Sequence, residues 1–420
     1  MAAAELSLPT WTMGAFPLLV LGMAALPIFF PGIWGRRWFQ ALFVAVCAVP
    51  VVVQLGSTGH GEKLFHSVKE YVAFITTLGA LFVTTGGIYA TGDLEATPRT
   101  NVLILLAGAV LASVIGTTGA SMLVIRPLLR TNSQREFRAH LVPFFIILVS
   151  NAGGLLTPLG DPPLLVGFIS GVPFFWTLRL FPVWALYVGS ILGIFYYVEK
   201  RAYARENATS LARDRREVTR LQVQGKWGML WLMAIVAAAF LDSGWRDVAM
   251  LGIALCSYFS TKREVHELNE FSFHPILEVA LLFVGLFICL VPIEMNLATV
   301  ASQLPIQKGW QLFWSSGSLS AVLDNAPTYA AFFTLAKSLN AGRLDLIAGV
   351  TPVQLIAISA GSVVMGATTY IGNGPNLMVK AVAEKSKYVM PSFARYAVFA
   401  FFAMLPAHLI VTMALLYFEN

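Results

Sequence analysis

The chain has 420 residues, 57% hydrophobic and only 12% charged, with a mean hydropathy of +0.73 and a formal net charge of +6. A soluble domain carries about 25% charged residues, so the charged groups here are too few to coat a globular surface of this size. Composition therefore excludes a soluble enzyme, a nucleic-acid binder and a disordered chain. It leaves a polytopic protein of the lipid bilayer, whose apolar runs of about 20 residues have helical rather than β-barrel character.

In chain order, apolar runs fall at 13–33, 38–56, 70–92, 101–130, 140–176 and 178–198. The first is too long and lacks the flanks of a cleaved signal, so it reads as a spanning helix. A charged stretch, 199–226, follows, with eight basic against four acidic residues. Six more runs then fall at 227–242, 245–260, 274–294, 311–338, 350–385 and 391–417. The positive-inside rule makes 199–226 a cytoplasmic linker and sets both termini outside. On that reading Arg36, Arg37, Arg99, Lys262, Arg263, Lys337, Arg343, Lys380, Lys385, Lys387 and Arg395 lie inside, whereas Arg126, Arg130, Arg135 and Arg138 fall outside, against the rule.

The two sets of runs correspond. Thr157-Pro-Leu-Gly160-Asp161-Pro-Pro163 matches Thr369-Tyr-Ile-Gly372-Asn373-Gly-Pro375 at an offset of 212. Gly116-Thr117-Thr118-Gly119 matches Asp324-Asn325-Ala326-Pro327 at an offset of 208, as the run from Glu70 matches that from Glu278. Three features in one order argue for duplication. The expected fold is an all-α polytopic membrane protein. It has two inverted repeats, 1–198 and 227–420, of five transmembrane helices each. Each repeat has one broken helix (101–130 and 311–338) and one re-entrant hairpin (140–176 and 350–385). Inverted repeats whose interrupted helices meet near the midplane are a recurring design of secondary transporters.

Unwound backbone at membrane depth survives only where protein buries it or where it lines a wet cavity, and free N–H and C=O groups there attract anions and cations respectively. Asp161 is the sharpest candidate. As a helix cap Asn or Ser would serve equally, whereas a carboxylate at that depth costs at least ~2.5 kcal/mol and calls for a proton or cation. Asp324 and Asn325 repeat the pattern at the second break. Thr117, Thr118, Thr157, Thr368 and Thr369 offer neutral oxygens, and Asn151, Asn373 and Asn376 complete the candidate binding set. Glu70 and Glu278 read as first-turn residues favoured by the helix dipole. The three cysteines Cys47, Cys256 and Cys289 read as small core residues, and His408 as a hydrogen-bonded core residue. No cofactor is expected. The histidines and cysteines lack metal-ligand spacing, and there is no Walker A sequence for ATP drive.

The stretch Ser150-Asn151-Ala152-Gly153-Gly154 through Pro158-Leu-Gly160-Asp161 resembles the D-type bacterial sodium/proton antiporters of the ion transporter superfamily. Leu323-Asp324-Asn325-Ala326-Pro327 resembles their second broken helix. Gly366-Ala-Thr-Thr369 and Gly372-Asn-Gly-Pro-Asn376 are similar to citrate carriers and arsenite pumps. The resemblance implies a homodimer with an elevator-like motion in the bacterial inner membrane. It also implies ion binding at Asn151, Asp161, Asp324 and Asn325, with Na⁺ and H⁺ as coupling ions. One position departs from it: the antiporters carry Asp-Asn at the first break, where Gly116-Thr117 stands here.

The leading reading is a secondary transporter, not an enzyme, that exchanges sodium for protons. The alternative is sodium- or proton-coupled carriage of a small carboxylate such as citrate or a dicarboxylate. A distant alternative is an intramembrane aspartyl protease, for which Leu159-Gly160-Asp161 comes close; but Pro158 stands where that enzyme needs Gly, and duplicated hairpins have no place in it.

Overall fold

The computed structural model describes residues 8–300, 305–340 and 346–419. The outermost residues of the two expected repeats, 1–7 and 420, and Arg343 lie outside that description. The described chain is predominantly helical, with seven helices long and apolar enough to cross a membrane: Thr10–Pro27, Arg37–Ser57, Gly61–Gly86, Pro98–Ile115, Phe174–Tyr203, His274–Asn296 and Phe393–Glu419. This is an integral membrane protein of polytopic helical type.

The first helices are α1 (Ala15–Phe29), the turn α2 (Pro31–Trp34), α3 (Arg37–Ser57) and α4 (Gly61–Gly86). Strand β1 (Tyr89–Asp93) follows. Next come α5 (Pro98–Ile115), α6 (Thr117–Thr131), α7 (Leu141–Leu148), α8 (Pro162–Ile169) and α9 (Phe181–Tyr203). The linker folds as α10 (Ala208–Glu217) and β2 (Thr219–Gln224). The rest is α11 (Lys226–Ala238), α12 (Ser243–Ser260), α13 (Arg263–Leu268), α14 (His274–Val300), α15 (Gly309–Ser320), α16 (Asn325–Leu339), α17 (Pro352–Val364), α18 (Gly374–Lys385) and α19 (Phe393–Glu419).

The interrupted segments exchange the roles expected of them. Asn101, on the first turn of α5, donates to Asn132, just past the end of α6, at 2.9 Å, and Asn132 donates back at 2.8 Å. Both outer ends of α5–α6 therefore lie at one end of the molecule, so 101–130 is a hairpin with its tip at Gly116, not a broken span. Gly116 sits at φ +84°, a region open to glycine, which reverses the chain between the two legs. Segment 140–176 is the broken span. His140, just before α7, meets Glu199 near the end of α9, whereas α8 leads into the start of α9, about 27 Å away along that helix. The second half repeats this. Asn340, past α16, donates to Gln354 at 2.5 Å, and Gln354 donates to the carbonyl of Gln307, before α15, at 3.2 Å. So α15–α16 is a hairpin and α17–α18 a broken span. Gly-, Pro- and Asn-rich composition marks where a helix stops; whether the chain then turns back depends on partners far away in sequence.

This geometry regroups the charges. Arg135 pairs with Glu199 and with Glu206 of the linker, and Arg130 donates to the Gly92 carbonyl at 3.0 Å. The Arg126–Arg138 group therefore joins the linker end, instead of opposing it as expected from sequence. Lys337, expected with the linker, lies at the far end beside Asn340.

The linker is exposed along most of its length but carries regular structure. Strand β2 pairs antiparallel with β1, from Tyr89↔Gln224 to Asp93↔Thr219. Asp214 accepts from the Ala96 N–H at 2.8 Å, and Arg215 pairs with Glu95 at 2.8 Å. This small sheet qualifies the all-α expectation.

Helices α1, α3, α4 and α14 pack as one layer. Phe74 stacks on Phe283 at 4.9 Å, Ser67 donates to the Phe287 carbonyl at 2.7 Å and Tyr71 to the Ala280 carbonyl at 2.9 Å. Glu70 lies in the third turn of α4, which begins at Gly61, too far from the helix start for the dipole role expected of it. Cys47 and Cys289 are buried as expected, but Cys256 is exposed on α12. His408 is buried and bonds Tyr187 through Nδ1 at 2.6 Å.

Candidate functional site

The two hairpin tips and the two broken spans converge against the α1–α4–α14 layer, and the interface holds a cavity of about 440 Å³ that is open on one side. Its walls include Gly116, Thr117, Thr118, Asp161, Asp324 and Glu278. No Lys, Arg or His lines it among the described residues.

Asp161 is the hub. It precedes α8 in an extended conformation, and its carboxylate makes no cap bond to that helix: Pro163 has no N–H, and the Leu164 N–H bonds the Asp161 backbone carbonyl at 3.0 Å instead. Instead Oδ1 accepts from the Thr117 hydroxyl at 2.7 Å and from Asn373 Nδ2 at 3.4 Å, while Oδ2 accepts from Asn325 Nδ2 at 2.6 Å. These donors come from the first hairpin, the second broken span and the second hairpin. Asp161 is 1% exposed, and no side-chain cap bond to α8 is present.

A layer of amides backs this hub. Asn373 Nδ2 also donates to the Ser150 carbonyl at 2.9 Å and to Asn151 Oδ1 at 3.2 Å. Asn151 donates to Asn376 Oδ1 at 2.8 Å, and Asn376 donates to the carbonyls of Gly366 and Thr369, each at 3.0 Å. One buried oxygen, Asn325 Oδ1, has no donor.

The offsets of 208 and 212 reappear as geometry. Thr157 donates to the Ser113 carbonyl at 2.5 Å and Thr369 to the Ala321 carbonyl at 2.5 Å, each clipping a broken span to its hairpin. A Cβ on Gly160 would lie 2.2 Å from the Gly154 oxygen, and one on Gly372 2.5 Å from the Gly366 oxygen. Backbone cannot retreat as a side chain can, so both crossovers require glycine.

Of the residues expected from sequence, Thr117, Thr118, Asp161 and Asp324 face the cavity. Asn151, Asn325, Asn373 and Asn376 form the buried support, and Thr157 and Thr369 are the clips. Thr368 takes no part in the cluster. Glu278 was read as a dipole residue, yet it lines the cavity from the opposite wall, with Oε1 accepting from Gln40 Nε2 at 2.8 Å. Its signal in the sequence is an acidic residue that opens the apolar run 279–293 of α14.

A family described as "Putative citrate transport" matches residues 4–418, nearly the whole chain. No curated protein matches it. The chain belongs to this citrate transport family and is a transporter, not an enzyme.

Proposed function

We propose that the protein is a secondary carrier of a small carboxylate of the citrate class, coupled to Na⁺ or H⁺, in the bacterial cytoplasmic membrane. The observation that carries this reading is the charge of the cavity: Asp161, Asp324 and Glu278 line it, and no described basic side chain does. An anion about 8 Å from one such carboxylate meets about 2 kcal/mol of repulsion at an effective dielectric near 20. A polycarboxylate therefore enters only with cations that neutralise the wall. Asp161, Asp324 and the donor-free Asn325 Oδ1 are the groups that would take a Na⁺ or a proton. Thr117, Thr118 and the N–H groups at the half-helix starts would take the anion. A space of about 440 Å³ also suits a small organic solute better than a bare ion, which favours carboxylate carriage over sodium/proton exchange.

Proteoliposomes test this directly. Labelled citrate uptake should need an inward Na⁺ or H⁺ gradient, and Na⁺ without citrate should leave an internal pH dye unchanged. Proton movement on Na⁺ alone would overturn the carboxylate reading in favour of exchange.

The same proposal includes inverted repeats, with the linker end in the cytoplasm. Basic residues gather at that end, including Arg126, Arg130, Arg135 and Arg138, as the positive-inside rule requires. Asn101→Cys with Asn132→Cys should crosslink readily in membranes with a short bifunctional thiol reagent. Failure to crosslink would return 101–130 to a broken span.

A further inference from the structure

A second recess, of about 360 Å³, opens at the linker end and shares no lining residue with the central cavity. It lies between the end of α6, the 133–138 loop, the end of α18 and Glu270 after α13. Arg126, Arg130, Arg138 and Lys385 face it, with Glu270 as its one acidic residue among those described.

Glu270 is already engaged. It accepts from Lys385 Nζ at 2.5 Å, and that ammonium holds the Glu270 carboxyl below its usual value. The three arginines bond backbone carbonyls. Arg130 reaches Gly92, Arg138 reaches Asn132 at 3.0 Å and Ser133 at 2.8 Å, and Arg126 Nη2 reaches Asn269 at 3.4 Å. Arg138 also lies over the Tyr388 ring, 4.2 Å from its centroid. Carbonyl dipoles do not match these charges, and the carboxylates in range are Glu270, near Arg126 but already paired with Lys385, and Asp93, near Arg130 but outside the lining of the recess. Arg126 Nη1 is buried with no hydrogen-bond partner at all.

The plain alternative is that cations at the ends of α6 and α18 complement the helix dipoles. That accounts for exposed basic residues in a last turn. It does not account for three guanidinium groups converging on one concavity, one with a buried N–H and no acceptor, which is a cost of about 1–3 kcal/mol when left unmet.

We propose that this recess is a binding site for a small oxyanion, carboxylate or phosphate, distinct from the transport cavity. Arg126 Nη1 and the Arg138 guanidinium supply charge-assisted bonds, and the Ser133 and Ser386 hydroxyls that line the recess supply neutral donors. The site stands whether or not the central cavity carries carboxylates. Its ligand has two chemical sources, a free anion from the cytoplasm or the phosphate of an anionic lipid headgroup.

The test uses the full chain in phosphatidylcholine nanodiscs, titrated calorimetrically with inorganic phosphate and, separately, citrate. A parallel arm adds phosphatidylglycerol and follows lipid retention by native mass spectrometry. Phosphate binding, or phosphatidylglycerol retention if the lipid is the ligand, should weaken at least about tenfold in the Arg126→Gln/Arg138→Gln double variant. It should strengthen about fivefold in Glu270→Gln, which removes the competing carboxylate. The Glu270 and Lys385 side chains are 60% and 70% exposed, so this variant remains informative even if the arginine variant unfolds. The gain also separates a binding role from a structural one. If neither phosphate, citrate nor lipid binding responds to these substitutions, the proposal is overturned.

Discussion

Asp161→Asn is expected to reduce carboxylate transport by about 10²–10³-fold while leaving the protein folded. The carboxylate accepts three bonds, from Thr117, Asn325 and Asn373. An amide keeps one acceptor oxygen and turns a nitrogen donor toward groups that are themselves donors. Hydrogen bonds to an ionised group contribute about 1.5–3 kcal/mol each, and every 1.4 kcal/mol is about tenfold. The negative charge that would hold a coupling cation is lost as well. Initial rates of labelled citrate uptake in proteoliposomes, alongside a thermal melt, separate loss of the site from loss of the fold. Unchanged uptake with unchanged Na⁺ and pH dependence would mean that Asp161 merely ties the two halves together.

The largest effect on stability is expected at the base of the first hairpin. Glu199 and Arg135 are fully buried and paired there. Glu199 also accepts from Asn101 at 2.7 Å and bonds His140 at 2.6 Å. Arg135 donates to Asn132 at 3.1 Å and to Glu206 of the linker at 3.3 Å. Glu199→Ala would remove one of the two carboxylates paired with the buried Arg135 guanidinium, leaving Glu206 as the other, and should cost about 3 kcal/mol, read as a lower denaturation midpoint in detergent. Because the burial penalty belongs to both charges, Arg135→Met with Glu199→Met should recover much of the loss. A double variant as unstable as the single one would show that packing, not the lost ion pair, sets the cost.

Much of this site was legible in the sequence because its chemistry is local. A carboxylate between Gly160 and two prolines is anomalous in an apolar run, and the offsets of 208 and 212 pick out its counterparts in the second half. Direction of travel was not legible. Whether the chain turns back at Gly116 is decided by Asn101 meeting Asn132, and no composition within 101–130 encodes that meeting. The misplacement of Arg126, Arg130, Arg135 and Arg138 followed from the same gap, since a hairpin read as a span sends every loop after it to the wrong end until the next compensating error. The place of Glu278 on the cavity wall was not legible for a different reason. A single acidic residue one turn into an apolar helix has an ordinary explanation, and only the packing of α14 against α3, with Gln40 opposite, turns it toward the cavity.

The donors to Asp161 also bear on how the protein is made. Asn325 follows it by 164 residues and Asn373 by 212. At a synthesis rate of about 5–20 residues per second, the first half waits roughly 10–40 s for the amides that stabilise its central charge. During that interval Asp161 must stay protonated, remain in contact with water, or be sheltered by the insertion machinery. A ribosome stalled between the halves would leave a membrane-embedded intermediate with an unmet acid at its centre, a natural mark for quality control to recognise.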